Sequence, residues 1–378
     1  MELVELKSYI EILSGFAFNS KIFNDKGEGI PLIRIRDVGK NVSKTFFSGS
    51  YDEKFVVNNG DYLIGMDGDF RMSEWQGGKA LLNQRVCKIW SKSENILNDK
   101  YLLYLLPREL KFIEDTTSFA TVKHLSIKKI KDIKIPLPPL PTQKKIASIL
   151  DEADTLRQLN KQLITKYDAL TQSLFLEMFG DPVANPMGWE KKQISLLLEN
   201  VNKIDKNYNE KIIDYIDIAS IDNSKNIIIS STKYSLEEKP SRAQQILTKG
   251  DILFSTVRPN LKNIAINNSN GFIASTGFFI FRTKTSSLNP SFLFELLKTD
   301  SVTNYFVGIT SGANYPAVKS SDVKKVHIVV PPIHLQNQFA ERVAVIEQQK
   351  AQAQQSLQKS EDLFNSLLQK AFKGELVK

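Results

Sequence analysis

Lys128-Lys129-Ile130-Lys131-Asp132-Ile133-Lys134-Ile135-Pro136-Leu137-Pro138-Pro139-Leu140-Pro141-Thr142-Gln143 leads into a long helical pattern. The chain repeats the phrase as Ser321-Asp322-Val323-Lys324-Lys325-Val326-His327-Ile328-Val329-Val330-Pro331-Pro332-Ile333-His334-Leu335-Gln336, again followed by a helical pattern. A shift of 193 positions carries Ile130, Ile133, Ile135 and Leu137 onto Val323, Val326, Ile328 and Val330. Further upstream, Gly60-Asp61-Tyr62-Leu63-Ile64 answers Gly250-Asp251-Ile252-Leu253-Phe254, and Asn98-Asp99-Lys100-Tyr101 answers Asn289-Pro290-Ser291-Phe292. The repeat is about half the chain, far longer than the 20 to 50 residues of a solenoid unit. Two similar domains, each leading into its own helix, is the organisation this predicts.

Each half reads as a β-rich mixed domain. Pro31–Val38 alternates apolar and basic residues as a half-buried strand does, and Asp61–Ile64 and Val86–Ile89 add further strands. Tyr215–Ile218, Ile252–Phe254 and Phe278–Phe281 fill the same roles in the second copy. From Thr142 to Phe179 the period changes to heptads, with Ile146, Ala153, Asn160, Tyr167 and Leu174 at a and Ile149, Leu156, Leu163 and Leu170 at d. The second helix answers with Phe339, Val343, Ile346, Ala353, Leu357, Ser360, Phe364, Leu367 and Ala371. About five heptads exceed the 11 to 12 residues of an average helix, and roughly 38 residues span about 57 Å. This predicts an antiparallel coiled coil, with the two domains at its opposite ends around a pseudo-twofold axis. Asn160, polar at an a position, either fixes register with the partner helix or meets solvent at a frayed seam. Gly180 can end the first helix, and Pro182 prevents its resumption. The recurrence of prolines at both junctions favours a structural role over a polyproline ligand.

Composition bounds function more weakly. The 378 residues are 42% hydrophobic and 24% charged, inside the globular range, and 50 Lys+Arg against 42 Asp+Glu leave a net +8 that favours a polyanionic partner. A single cysteine, Cys87, excludes an internal disulfide framework and fits a reducing compartment. The acidic start Met1-Glu2-Leu3-Val4-Glu5 is no signal peptide, and the longest nearly apolar run, Gly271 to Phe281, is too short for a bilayer. The chain reads as soluble and cytoplasmic. Three scattered histidines form no metal-ligand cluster, and neither a phosphate-binding loop nor a nucleophile with a neighbouring His and acid stands out. Asn289-Pro290-Ser291-Phe292 resembles the amine-holding motif of amino-methyltransferases, but Asn as a helix N-cap with Pro at the first helical position explains it fully.

What remains is a set of polar and basic loops in matching places of the two copies. In the first, Arg71 and Lys79 flank a Gly-rich loop, and Thr121, Lys123 and His124 belong to another. In the second, Arg258, Asn260 and Lys262, and then Asn314, Tyr315 and Lys319, stand in the corresponding places. Arg and Lys can neutralise phosphates or read guanine, and Asn can read adenine. These are the candidate DNA-binding residues.

Taken together, these features resemble the specificity subunit of type I restriction-modification systems over nearly the whole chain. The resemblance rests on Phe179-Gly180-Asp181-Pro182 with Asn185-Pro186-Met187-Gly188-Trp189, and on the junctions ending in Thr142-Gln143 and Leu335-Gln336. Gly15-Phe16-Ala17-Phe18, Leu82-Asn83-Gln84-Arg85 and the closing Gln369–Leu376 add to it. It implies an α+β fold with target recognition domains over residues 1–136 and 181–329 and conserved helices over 137–180 and 330–378. Each domain would read one half of a bipartite double-stranded DNA target, with the helices setting the spacer. It also implies a non-catalytic chain without a cofactor or metal, assembled with two methyltransferase subunits that bind S-adenosylmethionine and two restriction subunits that consume ATP. The second copy departs from the pattern at its entry, with Glu199-Asn200-Val201-Asn202 where the first has Gly15-Phe16. A self-contained DNA methyltransferase and a protein-only coiled-coil scaffold are the competing readings. The first predicts S-adenosylmethionine binding by the isolated chain, the second no DNA affinity at low salt.

Overall fold

The computed structural model describes residues 3–117, 123–312 and 316–377. The chain packs as two compact units, residues 1–160 with 355–378 and residues 161–354. Thr121, Asn314 and Tyr315 lie outside the described residues.

In the first unit, the strands Ile10–Ser14, Val86–Ser91, Tyr62–Gly65 and Met72–Glu74 form an antiparallel sheet in that order. A second sheet contains Ile30–Ile33 beside Ala80–Leu82 in parallel, with Leu32 opposite Leu81 and Ile33 opposite Leu82. Helix α1 (Asp99–Thr116), capped by the Asn98 side chain, covers the first sheet with Tyr101, Leu102, Leu105, Leu106 and Leu110. Helix α2 (Ile127–Lys131) precedes the short strand Lys134–Pro136, which pairs with Leu3–Glu5. Helix α3 (Leu140–Phe179) starts just beyond the prolines.

The second unit repeats the plan. Ile252–Ser255 lies between Ile264–Ile266 and Phe278–Phe281, and Ile212–Ile216 pairs in parallel with Ile273–Ser275. Here the helix corresponding to α1 is broken at Thr299 into α4 (Pro290–Lys298) and α5 (Asp300–Gly308). Helix α6 (Ser320–Lys325), the strand His327–Val329 and helix α7 (Ile333–Lys373) complete it.

The repeated motifs have local physical causes. Gly60 and Gly250 hold φ of +93° and +94°, and each following aspartate accepts the amide three residues back, Asn58 N–H or Thr248 N–H, at 2.8 Å. Gly-Asp is therefore a turn that only glycine enters cheaply and that the carboxylate locks. At the proline junctions, Gln143 and Gln336 are fully buried. The Gln143 amide accepts from Asn98 N–H at 2.9 Å and donates to the carbonyls of Ile96 and Pro138 at 2.9 and 2.8 Å. Gln336 repeats this with Asn289 N–H, Ser287 O and Pro331 O at 2.9, 3.3 and 2.7 Å. Each glutamine ties the start of a long helix to the cap of the helix in its own domain. After α3, Gly180 turns left-handed at φ +73°, Asp181 accepts from the amides of Val183 and Ala184, and Trp189 Nε1 donates to Phe179 O at 2.9 Å.

Two strand expectations are corrected. Pro31–Val38 is strand only to Ile33, because Asp37 accepts Arg34 N–H at 2.9 Å and winds Ile35–Asp37 into a 3-10 turn. Tyr215–Ile218 likewise ends at Ile216, where Asp217 and Ser220 cap each other.

Within each unit the α3 and α7 segments pack antiparallel. In the first, Ile146, Leu150 and Ala153 share a core with Phe364 and Ala371, the Arg157 guanidinium lies 4.1 Å from the Phe364 ring centre, and Asn160 Nδ2 is 3.4 Å from Ser360 Oγ. In the second, Phe175 and Phe179 pack on Phe339, and Lys350 Nζ meets Asp168 Oδ1 at 2.5 Å. At the a positions Ile146 and Ala153 are buried and Asn160, Tyr167 and Leu174 half-buried; on α7, Phe339, Val343, Ala353 and Phe364 are buried and Ile346 and Leu357 half-buried. The d-position reading on α3 is corrected. Leu156, Leu163 and Leu170 are 49%, 39% and 49% exposed and Ile149 is only half-buried, whereas Leu150 and Thr171 are buried and Arg157 and Ile164 half-buried. The inward stripe steps four residues after each a position, not three. One residue is about 100° of helix rotation, enough to carry a leucine column out of the seam.

Candidate nucleic-acid interface

The polar loops singled out in each half meet in space through the same three backbone bonds. In the first unit, Met66 N–H donates to Arg85 O, Leu125 N–H to Met66 O and Gly68 N–H to Lys123 O, at 2.9, 2.8 and 2.9 Å. In the second, Thr256 N–H donates to Gly277 O, Val318 N–H to Thr256 O and Arg258 N–H to Pro316 O, at 3.2, 2.9 and 2.8 Å. Asp67 faces His124 across an isolated antiparallel bridge, and Val257 faces Ala317 across its counterpart. Three segments distant in sequence thus form one platform per domain.

On the first platform, the Asp67 carboxylate takes His124 Nδ1 at 2.7 Å and Arg85 Nε at 3.3 Å. Arg71 pairs with Asp69 at 2.5 Å, and its Cδ stands 3.1 Å from where a Cβ on Gly39 would lie, so the loop after the 3-10 turn is its neighbour. Lys123 Nζ donates to Glu114 O at 2.5 Å and ties the platform to the end of α1. Glu114 also accepts Phe70 N–H at 3.1 Å, and the Lys111 ammonium holds its carboxyl below the usual range. Lys79 is engaged elsewhere, 3.6 Å from Glu53 and above the Tyr51 ring.

On the second platform, Arg258 and Lys262 both adopt left-handed backbone, φ +50°, on either side of the turn Pro259–Leu261. Asn260 and Lys319 are exposed. Lys262 is turned inward: its ammonium caps Lys298 O at 2.8 Å and pairs with Asp300 at 2.6 Å, clamping the break between α4 and α5.

Arg85 is not among the candidate DNA-binding residues that the sequence offers. It lies 39 positions from His124 and was legible only as part of Leu82-Asn83-Gln84-Arg85; its φ of +71° and its pairing with Asp67 appear only in the fold. Arg36, read as part of a strand, is mostly exposed and donates to Thr45 Oγ1 at 3.0 Å. Cys87 is an interior thiol, pushed up to about 12 by burial. Among the described residues no group of three or more His, Cys, Asp or Glu is placed to hold a metal ion, and no helix is long and apolar enough to cross a membrane.

The sequence pattern described as "Type I restriction modification DNA specificity domain" matches residues 1–166 and 186–359. The chain belongs to that family. The specificity subunit of the type I restriction enzyme EcoBI of Escherichia coli is 28% identical over 406 aligned positions, covering 99% of this chain and 85% of the relative. That of MjaVIII of Methanocaldococcus jannaschii is 26% identical over 319 positions, covering 78% and 74%. The crystal structure of the type I restriction-modification S subunit from M. genitalium superposes with a TM-score of 0.59 at 15% identity, covering 98% of this chain and 96% of that one, and so shares its fold. This specificity subunit is accordingly an α+β protein with two DNA specificity domains and two long helices, and it is the DNA-recognition component rather than a catalytic one.

Proposed function

We propose that each platform reads one half of a bipartite, asymmetric duplex target, that the paired helices set the spacer between the halves, and that the chain scaffolds two methyltransferase and two restriction subunits in the cytoplasm. The observation that carries this reading is the pair of platforms. The same backbone bonds close both, while their side chains differ, as two readers of two different half-sites require. At 40 residues, α3 is about 60 Å long, ample for half-sites one duplex turn of roughly 34–36 Å apart. The leucines at 156, 159, 163 and 170, exposed on α3, supply apolar surface for a partner subunit. In this reading S-adenosylmethionine and ATP bind to the partner subunits rather than to this chain.

Two titrations of the purified chain test this. Duplex binding should weaken steeply with salt as phosphate contacts are lost. S-adenosylmethionine should give no heat until a methyltransferase partner is added. Cofactor binding by the chain alone, or no DNA affinity at low salt, contradicts the proposal.

A further inference from the structure

The two platforms share a backbone and differ in chemistry at three adjoining matched positions. Strand register aligns Tyr62–Gly65 and Val86–Ile89 with Ile252–Ser255 and Phe278–Phe281, so Arg85 corresponds to Gly277. The two isolated bridges match Asp67 with Val257 and His124 with Ala317. One domain therefore carries Asp, Arg and His where the other carries Val, Gly and Ala. The loops of the second domain close through the same backbone bonds although Val257, Gly277 and Ala317 carry no ionisable side chain, so the charged set is not what those bonds require.

We infer, building on the DNA-reading proposal above, that these three positions are the base-discriminating point of each domain: Asp67, Arg85 and His124 select a G·C pair, and Val257, Gly277 and Ala317 an A·T pair. In the first domain the Arg85 and His124 side chains are 55% and 50% exposed, while Asp67, at 23%, buttresses both. In the tautomer whose Nδ1–H donates to the Asp67 carboxylate at 2.7 Å, Nε2 is the ring's acceptor. Arg85 Nε on the same carboxylate at 3.3 Å orients the guanidinium. A guanidinium beside an imidazole acceptor complements the major-groove edge of G·C, where guanine offers O6 and N7 and cytosine its N4 amino group. Val257, Gly277 and Ala317 are all partly exposed and put no side-chain donor or acceptor there. Two methyl-bearing side chains over a glycine make a small apolar surface, which suits the C5-methyl of thymine.

The test sequences methylated adenines in cells that carry the chain with its methyltransferase partner. The variants are Arg85→Lys and the triple Asp67→Val, Arg85→Gly, His124→Ala, which installs the second domain's set in the first. The expected result is relaxation of one G·C position in one half-site, by roughly ten- to a hundredfold in discrimination, with the other half-site unchanged. Arg85→Lys keeps the charge on Asp67 and loses only the forked donors, so it decides the matter even if the triple variant melts early. An unchanged motif in Arg85→Lys, a uniform loss of methylation without change of motif, or relaxation at an A·T position each overturns the assignment while leaving the DNA-reading proposal intact. A wild-type chain that directs no bipartite motif removes that proposal as well.

Discussion

Replacing Gln143 with Leu should loosen the first unit at one identifiable point. The leucine fills nearly the same volume but removes an acceptor and two donors from a fully buried site. That orphans Asn98 N–H and strips a partner from the carbonyls of Ile96 and Pro138. Three net hydrogen bonds at about 1 kcal/mol each, two of them leaving carbonyls that can find other partners, put the cost near 3 kcal/mol. For a unit of this size that corresponds to a fall in Tm of roughly 6–12 °C. The assay is thermal unfolding with hydrogen exchange read on peptides spanning residues 95–105 and 286–296. The Asn98 amide should lose protection in Gln143→Leu while the Asn289 amide keeps it, and Gln336→Leu should give the reverse. Unchanged melting, or equal loss of protection at both places, refutes the claim that each glutamine clamps its own domain to its own helix.

Other contacts set the outcome of further substitutions. Asp251→Asn leaves the Arg282 guanidinium, 12% exposed and held by Asp251 at 2.7 and 2.9 Å, without its counter-charge, and should cost about 3 kcal/mol in urea unfolding. Asp61→Asn, which breaks a pair with Lys88 more open to water, should cost about 1 kcal/mol or less. The Glu295 carboxyl is 4% exposed with one oxygen unbonded, and burial raises its pKa despite Lys298 at 2.8 Å. Because the folded form binds that proton more tightly, its contribution is present below the ordinary glutamate range and is lost as pH rises through the raised value. Glu295→Gln should therefore flatten the decline in Tm above pH 4.5 and match or exceed the wild type at neutral pH. Leu150→Ala should destabilise the first unit by about 2–5 kcal/mol, whereas Leu156→Ala should change stability by under about 0.5 kcal/mol and weaken co-purification of a methyltransferase partner.

Much of the architecture is legible along the sequence because local chemistry repeats with it. Gly60-Asp61 and Gly250-Asp251 each encode a locked turn, and Gly180 encodes the end of α3. The a positions of the long helices could be read because Ile146 and Ala153 are apolar where the seam needs them. The other half of the seam could not, since Arg157 and Thr171 lie inward while the leucines one residue earlier face water. Hydrophobic pattern alone cannot tell a seam from a second, outward stripe. The platforms were legible as loops but not as surfaces. Nothing local says that Lys262 turns in to cap α4, or that Arg85 crosses to Asp67 and His124; those contacts arise from strand register.

Sequencing of methylated adenines in the native cells, with and without this gene, reads out DNA recognition by the two platforms at once. Deletion should remove one bipartite methylated motif with a fixed spacer and leave other methylation unchanged. Identical methylation in both cells, with a cognate methyltransferase present and expressed, would contradict DNA recognition by the platforms.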